Sequence, residues 1–354
     1  MRLSLTSTLT QIAHSWLDPN YPLRQQALDQ AASEFCLSAP SFKLALEWIF
    51  SLWTETKINS FIQKNPYQQN RYAAQILACT TPAMIAQGFL QGAILNIPQC
   101  LKIPSKQPCF AQLLHQSFAE HSAELAQLFE LCTGQDDLSG FYAKLKQADL
   151  VFAYGRDETM ATLRQQISPQ AIFVAHGHVE SAAIIFKEAA QEEALLSLAY
   201  DMLSYDQRGC LSPRLVLIEE GGERSPAEAA RRFAEIILPP LAQQLPRGGL
   251  YPGEATEILH QRSVYGFRGP VYCGADWTVC YSEKQDWPQT VLPRFMPILP
   301  FDSHQQLIKI LAPIKERLIS LGCAGPAEKQ IFLKQMLINQ VVPLGEMQRQ
   351  VLVF

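Results

Sequence analysis

The chain contains a cysteine, Cys210, whose neighbours favour turns and whose position suits a nucleophile. It lies in the run Ser204-Tyr205-Asp206-Gln207-Arg208-Gly209-Cys210-Leu211-Ser212-Pro213. The apolar stretch 215–218 follows and predicts a strand, so the thiol would lie on a short loop beside a rigid element. The thiolate of such a cysteine can attack an acyl carbonyl and form a thioester. The alternative is a buried structural cysteine, because cysteine is among the residues most often buried.

Two histidines, His176 and His178, flank a glycine directly after another predicted strand. Two imidazoles can bind a metal ion, but no further ligands stand at metal-binding spacing, so we predict no metal site. One of the two can instead serve as a base or as a hydrogen-bond donor. The remaining alternative is a pair of ordinary loop histidines.

A short turn with a glycine and two charged residues, Gly155, Arg156 and Asp157, stands between an apolar strand and a helix. In this arrangement the amino terminus of the helix faces any phosphate bound beyond the strand. The turn lacks the glycine spacing of the dinucleotide fingerprint, so an ordinary strand-to-helix turn with Asp157 as N-cap is the alternative.

The end of the second predicted strand carries positive charge, from Lys102 and Lys106, with Ser105 between them. In nucleotide-binding folds this position meets the adenosine ribose, and an acidic residue there binds a free 2′-hydroxyl. No acidic residue stands near in sequence, which favours a 2′-phosphate. We therefore expect NADP(H), with NAD(H) as the alternative, or else a solvated basic turn.

Strands alternate with helices over most of the chain, which predicts a doubly wound parallel sheet with ligands beyond the carboxyl ends of its strands. The predicted strands cover 75–79, 99–103, 149–154, 171–175, 215–218, 271–280, 294–300 and the start of 341–346. The predicted helices cover 23–28, 41–50, 82–91, 109–131, 157–166, 181–190, 192–203, 225–238 and 304–320, with a break at Pro313 and a turn region from Pro239-Pro240 onward.

The length of 354 residues predicts two or three domains. A hydrophobic content of 48% and a formal charge of −4 indicate a globular protein. No basic stripe indicates nucleic-acid binding. Nine scattered cysteines form no CxxC pair, and together with the lack of a signal peptide they favour a reducing cytoplasm. No apolar run reaches 18 residues, so we expect no membrane span.

These pieces, in this order, resemble the aldehyde dehydrogenase superfamily, and more closely its acyl-CoA reductase branch, the LuxC-type fatty-acyl reductases. The octamer 206–213 is close to the branch's D-Q-x-A-C-x-S-P and is the specific motif. Weaker collinear matches cover 76–82, 101–106, 155–158, Pro293-Arg294 and 342–345, so the resemblance runs over about residues 40–350.

The resemblance implies that Cys210 attacks an acyl-CoA or acyl-protein thioester, that the carrier thiol leaves, and that a nicotinamide hydride reduces the acyl-enzyme to an aldehyde. The oxyanion would be bound by the backbone N–H of Cys210 and by a second donor. That donor is an asparagine in the superfamily, whereas this chain has Thr80. The loss of one such donor costs on the order of 100-fold or more in kcat.

A second departure concerns the glutamate that activates water in oxidative members of the superfamily, about 34 residues before the cysteine. His176 stands there in this chain. Because a reductase must avoid hydrolysis of the acyl-enzyme, the missing glutamate favours reduction, although His176 can itself act as a base. The alternatives are a Cys-dependent acyl transferase, a non-catalytic relative that acts as a binding or assembly partner, and an oxidative aldehyde dehydrogenase.

We therefore predict an α/β fold of the aldehyde dehydrogenase type, with a Rossmann-like nucleotide-binding domain and an α/β catalytic domain. The predicted parts are a helical segment 1–60, a dinucleotide-binding domain 61–175, a catalytic domain 176–335 and a terminal segment 336–354 that packs back on the core. The cofactor is expected in the cleft between the two domains. Compared with typical members of the superfamily, we expect the chain to be shorter at its amino end. The partners that the resemblance allows are a second copy of the chain, in a homo-oligomer, or an acyl-transfer partner protein.

Overall fold

The computed structural model describes residues 2–67, 69–77, 80–133, 138–284, 286–336 and 340–349. The chain divides into two compact units. The first holds the described residues up to 35 and from 42 to 178, and the second holds 36–41 and the described residues from 179 onward. Each unit contains one sheet.

The first unit is built on five parallel strands in the order β3-β2-β1-β4-β5. The strands are β1 (Ala73–Ile76), β2 (Gln99–Lys102), β3 (Phe129–Cys132), β4 (Leu150–Tyr154) and β5 (Ile172–His176). The helices before residue 178 are α1 (Arg2–Leu17), α2 (Pro22–Gln30), α3 (Ala39–Ser51), α4 (Glu55–Lys64), α5 (Pro82–Leu95), α6 (Pro108–His121), α7 (Ala123–Ala126), α8 (Leu138–Gln147) and α9 (Asp157–Arg164).

Helices cover both faces of this sheet. On one face, buried side chains of β1, β2, β3 and β4 pack with residues of α8 and α9. On the other, α5 approaches the strands closely at Gly92, where an added Cβ would lie 2.4 Å from the amide of Gln99 and 2.5 Å from the ring of Phe129. Glycine is therefore required for this helix-to-sheet distance.

The second unit is built on seven strands in the order β12-β11-β6-β7-β10-β9-β8, all parallel except the β8–β9 pair. The strands are β6 (Glu180–Ile185), β7 (Val216–Glu219), β8 (Val271–Cys273), β9 (Thr278–Tyr281), β10 (Phe295–Phe301), β11 (Leu318–Ala324) and β12 (Gln340–Pro343). The helices are α10 (Glu192–Leu203), α11 (Pro226–Arg232), α12 (Leu238–Gln244), α13 (Glu254–Gly266), α14 (His304–Leu311) and α15 (Ala327–Gln335).

The central strands of this sheet are apolar on both faces. Ala183 and Ile185 of β6 belong to the core on one face, and Ala182 and Ile184 to the core on the other. The helix predicted over 181–190 is wrong, because residues 180–185 form β6. A strand buried on both sides lacks the polar–apolar alternation that distinguishes a strand, so its alanines and isoleucines are equally compatible with a buried helix.

Two other predicted helices need correction. The helix predicted over 109–131 ends at His121, and its last residues form the edge strand β3. The helix predicted over 304–320 ends at Leu311, followed by a 3-10 turn that contains Pro313, and its last residues begin β11. The break at Pro313 is confirmed.

The turn predicted at Pro239-Pro240 is wrong, because a π-helical turn (Phe233–Ile237) joins α11 to α12 and the two prolines lie in the first turn of α12. Proline is tolerated there, since the first helical N–H groups have no intrahelical acceptor. The strand predicted over 271–280 is the antiparallel pair β8 and β9. Among the helices of the described residues, none combines the length and apolarity that crossing a bilayer requires.

Candidate active site

The segment 204–213, called the nucleophile loop below, joins α10 to β7. Its first residues form a turn in the left-handed conformation, in which Tyr205, Asp206 and Gln207 have φ values of 50°, 52° and 61°. Non-glycine residues seldom adopt this left-handed region, and three in succession are rare. The turn reverses the chain directly before Cys210, so the thiol lies on the short loop that the sequence predicts.

Side-chain hydrogen bonds fix both ends of the nucleophile loop. Gln207 is buried, and its Nε2 donates to the carbonyl of Pro213 at 2.8 Å and to that of Phe295 in β10 at 3.1 Å. Ser181 Oγ in β6 donates to the carbonyl of Cys210 at 3.0 Å. The cysteine is therefore anchored to two strands of the sheet.

Cys210 is partly exposed as a residue. Burial raises the pKa of its thiol to about 11, while the backbone N–H groups of Cys210 and Leu211 act in the opposite direction. The thiol is thus protonated at neutral pH in the free protein. Its reaction requires a proton acceptor, and the two backbone N–H groups stabilise the thiolate once it forms.

The terminal part of the described chain supports the same loop. Gln348 is buried, and its Nε2 donates to Ser212 Oγ at 2.5 Å. Its amide also packs against Gly209, where an added Cβ would lie 2.6 Å from Oε1. The strand and turn predicted at 341–346 are confirmed, and the residues after them contact the nucleophile loop on both sides of Cys210.

A buried carboxylate holds this terminal segment in place. Asp201 of α10 is fully buried and accepts hydrogen bonds from the backbone N–H groups of Gly345 at 2.6 Å and Met347 at 3.1 Å. Burial raises its pKa to about 7, against the opposing effect of the two N–H groups. Sequence reasoning missed both Asp201 and Gln348, since neither stands in a motif.

Because the pKa of Asp201 is raised, we expect the free energy of unfolding to fall as the pH rises. Between about pH 4 and 7 the folded state keeps a proton that the unfolded state releases, so folding is most favoured at the acid end of this range. The difference between a pKa of about 7 and the ordinary value of about 3.9 corresponds to about 4 kcal/mol. In Asp201→Asn this dependence is absent, and the curve of unfolding free energy against pH is flatter by that amount.

Urea denaturation at pH 4, 5, 6, 7 and 8 measures this slope. The control is Asp29→Asn, which removes an exposed carboxylate of α2 and leaves the slope of the wild type. Parallel curves for the wild type and Asp201→Asn would show that Asp201 is ionised throughout.

In the first unit, the residues predicted to bind cofactor lie beyond the carboxyl ends of parallel strands. Lys102 ends β2, and Ser105 and Lys106 form an exposed turn after it. Gly155 and Arg156 follow β4, and the N–H of Gly155 donates to the carbonyl of His176 at the end of β5. These residues therefore lie along the same end of one sheet, which is where open α/β sheets bind ligands.

Asp157 is not the N-cap of α9 that the sequence offers as an alternative. It is the first residue of α9, and Arg156 occupies the N-cap position without a side-chain cap. Its Oδ1 accepts a hydrogen bond from the backbone N–H of His178 at 3.0 Å. Asp157 thus ties the turn after β5 to the start of α9.

The sequence near Lys102 and Lys106 contains no carboxylate, but the fold supplies one. Glu34 accepts hydrogen bonds from the N–H groups of Cys109 at 2.8 Å and Phe110 at 3.3 Å, at the amino terminus of α6. Burial raises the pKa of Glu34. This carboxylate occupies the anion-binding end of α6. A bound phosphate would therefore have to contact the turn that carries Lys102, Ser105 and Lys106, called the lysine turn below, rather than that helix.

His176 ends β5 with its ring stacked on that of Tyr154, at 4.4 Å between centroids and 7° between planes. Burial lowers its pKa, so the imidazole is neutral at pH 7 and able to accept a proton. Thr80 is exposed and precedes α5, two residues before Pro82 opens the helix. Ala78 and Cys79, which belong to the same motif, lie outside the described residues.

Over the described ranges of the chain, no group of three His, Cys, Asp or Glu side chains is arranged to hold a metal ion. The eight cysteines within those ranges are all free thiols.

Residues 49–351 match the family model described as Acyl-CoA reductase (LuxC). A long-chain acyl-protein thioester reductase from Aliivibrio fischeri is 24% identical over 231 residues, which cover 64% of this chain and 46% of that protein. The chain thus spans about half the length of this curated relative.

Solved structures share the fold at low sequence identity. A salicylaldehyde dehydrogenase from Pseudomonas putida G7 aligns with a TM-score of 0.71 and 13% identity, over 96% of this chain and 77% of its own. A putative aldehyde dehydrogenase from Burkholderia cenocepacia gives 0.73 and 13%, over 96% and 78%. A glyceraldehyde-3-phosphate dehydrogenase from Methanocaldococcus jannaschii, complexed with NADP, gives 0.69 and 11%, over 96% and 80%. The predicted resemblance is confirmed: the chain belongs to the LuxC acyl-CoA reductase family and has the aldehyde dehydrogenase fold.

Proposed function

We propose that this protein reduces a long-chain acyl thioester, carried by CoA or by a protein, to the aldehyde with NADPH. The observation that carries the proposal is the anchored, partly exposed Cys210 at the centre of the family's octamer. Membership of an acyl-CoA reductase family and similarity to an acyl-protein thioester reductase support the substrate class.

Cys210 carries the covalent step in this proposal. Its sulfur forms a bond to the acyl carbon, the bond from that carbon to the carrier sulfur breaks, and the carrier leaves as a thiol after taking up a proton. Because the thiol has a raised pKa, a base must remove its proton, and we assign this role to the neutral imidazole of His176. The Cys210 N–H and the Thr80 hydroxyl are assigned to the oxyanion.

The residues of the first unit fit a nicotinamide dinucleotide. Lys102, Ser105 and Lys106 offer two cations and a hydroxyl for a 2′-phosphate, and Gly155, which has no side chain, follows β4 at the same end of the sheet. The carboxylate of Asp157 already accepts a hydrogen bond from the backbone N–H of His178. We therefore assign it to orienting the turn and not to contacting the phosphates. The hydride that converts the acyl-Cys210 thioester to the aldehyde is the chemistry that such a cofactor supplies when bound.

A pulse-chase experiment tests this function. The protein is incubated with acyl-CoA labelled in the acyl group, freed of excess substrate, and chased with NADPH. We expect about one label per chain, released as aldehyde only when NADPH is added. Label that leaves only with another acyl acceptor would indicate a transferase, label released as free acid would indicate hydrolysis, and no label would indicate a binding partner.

The lysine turn predicts the choice between the two nicotinamide cofactors. Lys106→Glu reverses one exposed charge beside the proposed 2′-phosphate, so NADPH should bind about tenfold more weakly, or about 1.4 kcal/mol, while NADH binding changes little. Fluorescence titration with both cofactors measures the difference. Lys57→Glu reverses an exposed charge on α4 as a matched control. Equal losses for NADPH and NADH would exclude a 2′-phosphate contact.

A further inference from the structure

A buried ion network begins in the nucleophile loop, at Asp206. Asp206, Arg294 and Asp276, called the Arg294 network below, are joined by the Arg294 guanidinium. Its Nε donates to Asp206 Oδ1 at 2.7 Å, and its Nη1 donates to Asp276 Oδ2 at 2.9 Å. Asp206 and Arg294 are fully buried. Removing one partner of such a pair leaves an uncompensated buried charge, so the three groups act as a unit.

Backbone strain is concentrated at this network. Within the described part of the chain, six non-glycine residues have positive φ, and four of them are Tyr205, Asp206, Gln207 and Arg294 itself, with a φ of 51°. Each non-glycine residue in this left-handed region is strained, because its Cβ lies too close to the following carbonyl oxygen. Such strain persists only where the surroundings over-determine it, and it is concentrated at functional sites in proteins.

The carboxylates of the network also hold a neighbouring segment. Asp206 Oδ2 accepts the N–H of Gly248 at 2.9 Å, and Asp276 Oδ2 accepts the N–H of Arg247 at 2.8 Å. Gly248 in turn lies against Cys36, whose carbonyl oxygen would be 1.9 Å from an added Cβ. The left-handed turn is therefore hydrogen-bonded to a segment that is itself closely packed against Cys36.

The consequence of the turn is the placement of Gln207. From the left-handed backbone at 205–207 the Gln207 side chain reaches Pro213 and Phe295, which closes the nucleophile loop around Cys210. Phe295 is also the residue after Arg294, so the guanidinium and the Gln207 bond fix the start of β10 to the loop at two adjacent positions. A chain of contacts thus connects Arg294 to the backbone on which the thiol is mounted.

We propose that Arg294 is a positioning residue for Cys210: through Asp206 it holds the left-handed turn that orients the thiol and the backbone N–H groups of Cys210 and Leu211. The inference rests on Cys210 being the nucleophile of the proposed function. The competing role is ordinary stabilisation of the second unit, which would lower the thermal midpoint without altering the reactivity of Cys210.

Arg294→Lys tests the proposal, because it keeps the positive charge and removes the planar fork that joins the two carboxylates. We expect kcat for thioester reduction to fall at least tenfold, with KM for the acyl thioester within twofold. We also expect the rate constant for alkylation of Cys210 by iodoacetamide at pH 9 to fall several-fold, measured on the Cys210 peptide by mass spectrometry. Asp276→Asn, at the partly exposed end of the network, should change both quantities in the same direction by a smaller factor. It replaces Arg294→Lys as the test if that variant does not fold.

The matched control removes a different buried ion pair of the same unit. Lys329 is bonded to Glu219 and Glu188, and Lys329→Met should lower the thermal midpoint while leaving Cys210 alkylation at the wild-type rate. The proposal is overturned if Arg294→Lys, or Asp276→Asn in its place, lowers the thermal midpoint yet keeps the wild-type alkylation rate and kcat. Failure of the wild type to take up acyl label would instead refute the proposed function, because alkylation reports on the thiol without any acyl substrate.

Discussion

Cys210→Ala is expected to abolish acyl labelling and to lower the rate of aldehyde formation on the order of 10⁵-fold or more, as removal of other covalent nucleophiles does. The reason is that the covalent step has no substitute: among the described residues, the nucleophile loop contains no second thiol. Stoichiometric labelling with radioactive acyl-CoA measures the first effect, and detection of aldehyde in the presence of NADPH measures the second.

Cys273→Ala is the matched control for this prediction, since Cys273 is the most exposed of the described cysteines and lies on β8, away from the nucleophile loop in sequence. It should take up label and form aldehyde like the wild type. If Cys210→Ala retained the label while Cys273→Ala lost it, the thioester would form on Cys273 and the assigned mechanism would be wrong.

The nucleophile loop could be predicted from sequence because its signals are local. Gly209, Ser212 and Pro213 favour turns, and the apolar residues of β7 follow at once. The same holds for the turns after β2 and β4, where polar residues interrupt apolar runs. A parallel arrangement of the strands then brings these turns to one end of the first sheet.

Strands were harder to predict from the sequence where both faces of the strand are buried or where the strand is short. β6 reads as a helix because Ala182, Ala183, Ile184 and Ile185 carry no polar alternation. β3 reads as a continuation of α6 because it is short and lies at the edge of the sheet, so only Phe129 and Cys132 are buried. In both cases the neighbouring strands, which sequence periodicity does not report, decide the structure.

The groups that hold the nucleophile loop could not be found by motif. Arg294 lies 88 residues after Asp206, and Gln348 lies 136 residues after Ser212. Arg294 precedes β10 and Asp206 precedes β7, and these two strands are adjacent in the sheet although they are distant in the chain. Gln348 follows β12, which lies three places from β7 in the same sheet. The sole local signal was the match of Pro293-Arg294 to the family pattern, which marks the position without indicating what the guanidinium contacts.

Thr80→Ala is the second large effect expected. Where the superfamily has an asparagine, this chain offers a hydroxyl, which can donate one hydrogen bond to a developing oxyanion. If the Thr80 hydroxyl makes that bond, its removal lowers kcat on the order of 10²–10³-fold, with KM for the acyl thioester little changed, because the bond strengthens only in the transition state. Steady-state kinetics with varied acyl-CoA separate the two constants.

Thr80→Ser is the matched control, because it keeps the hydroxyl and removes only a methyl group, and it should stay within a few-fold of the wild type. Thr80→Asn supplies the amide that the superfamily uses and should keep or raise kcat. A rate for Thr80→Ala equal to that of the wild type would show that this hydroxyl is not a donor. The oxyanion would then depend on backbone N–H groups of the nucleophile loop, and the left-handed turn that orients them would carry a larger share of the catalysis.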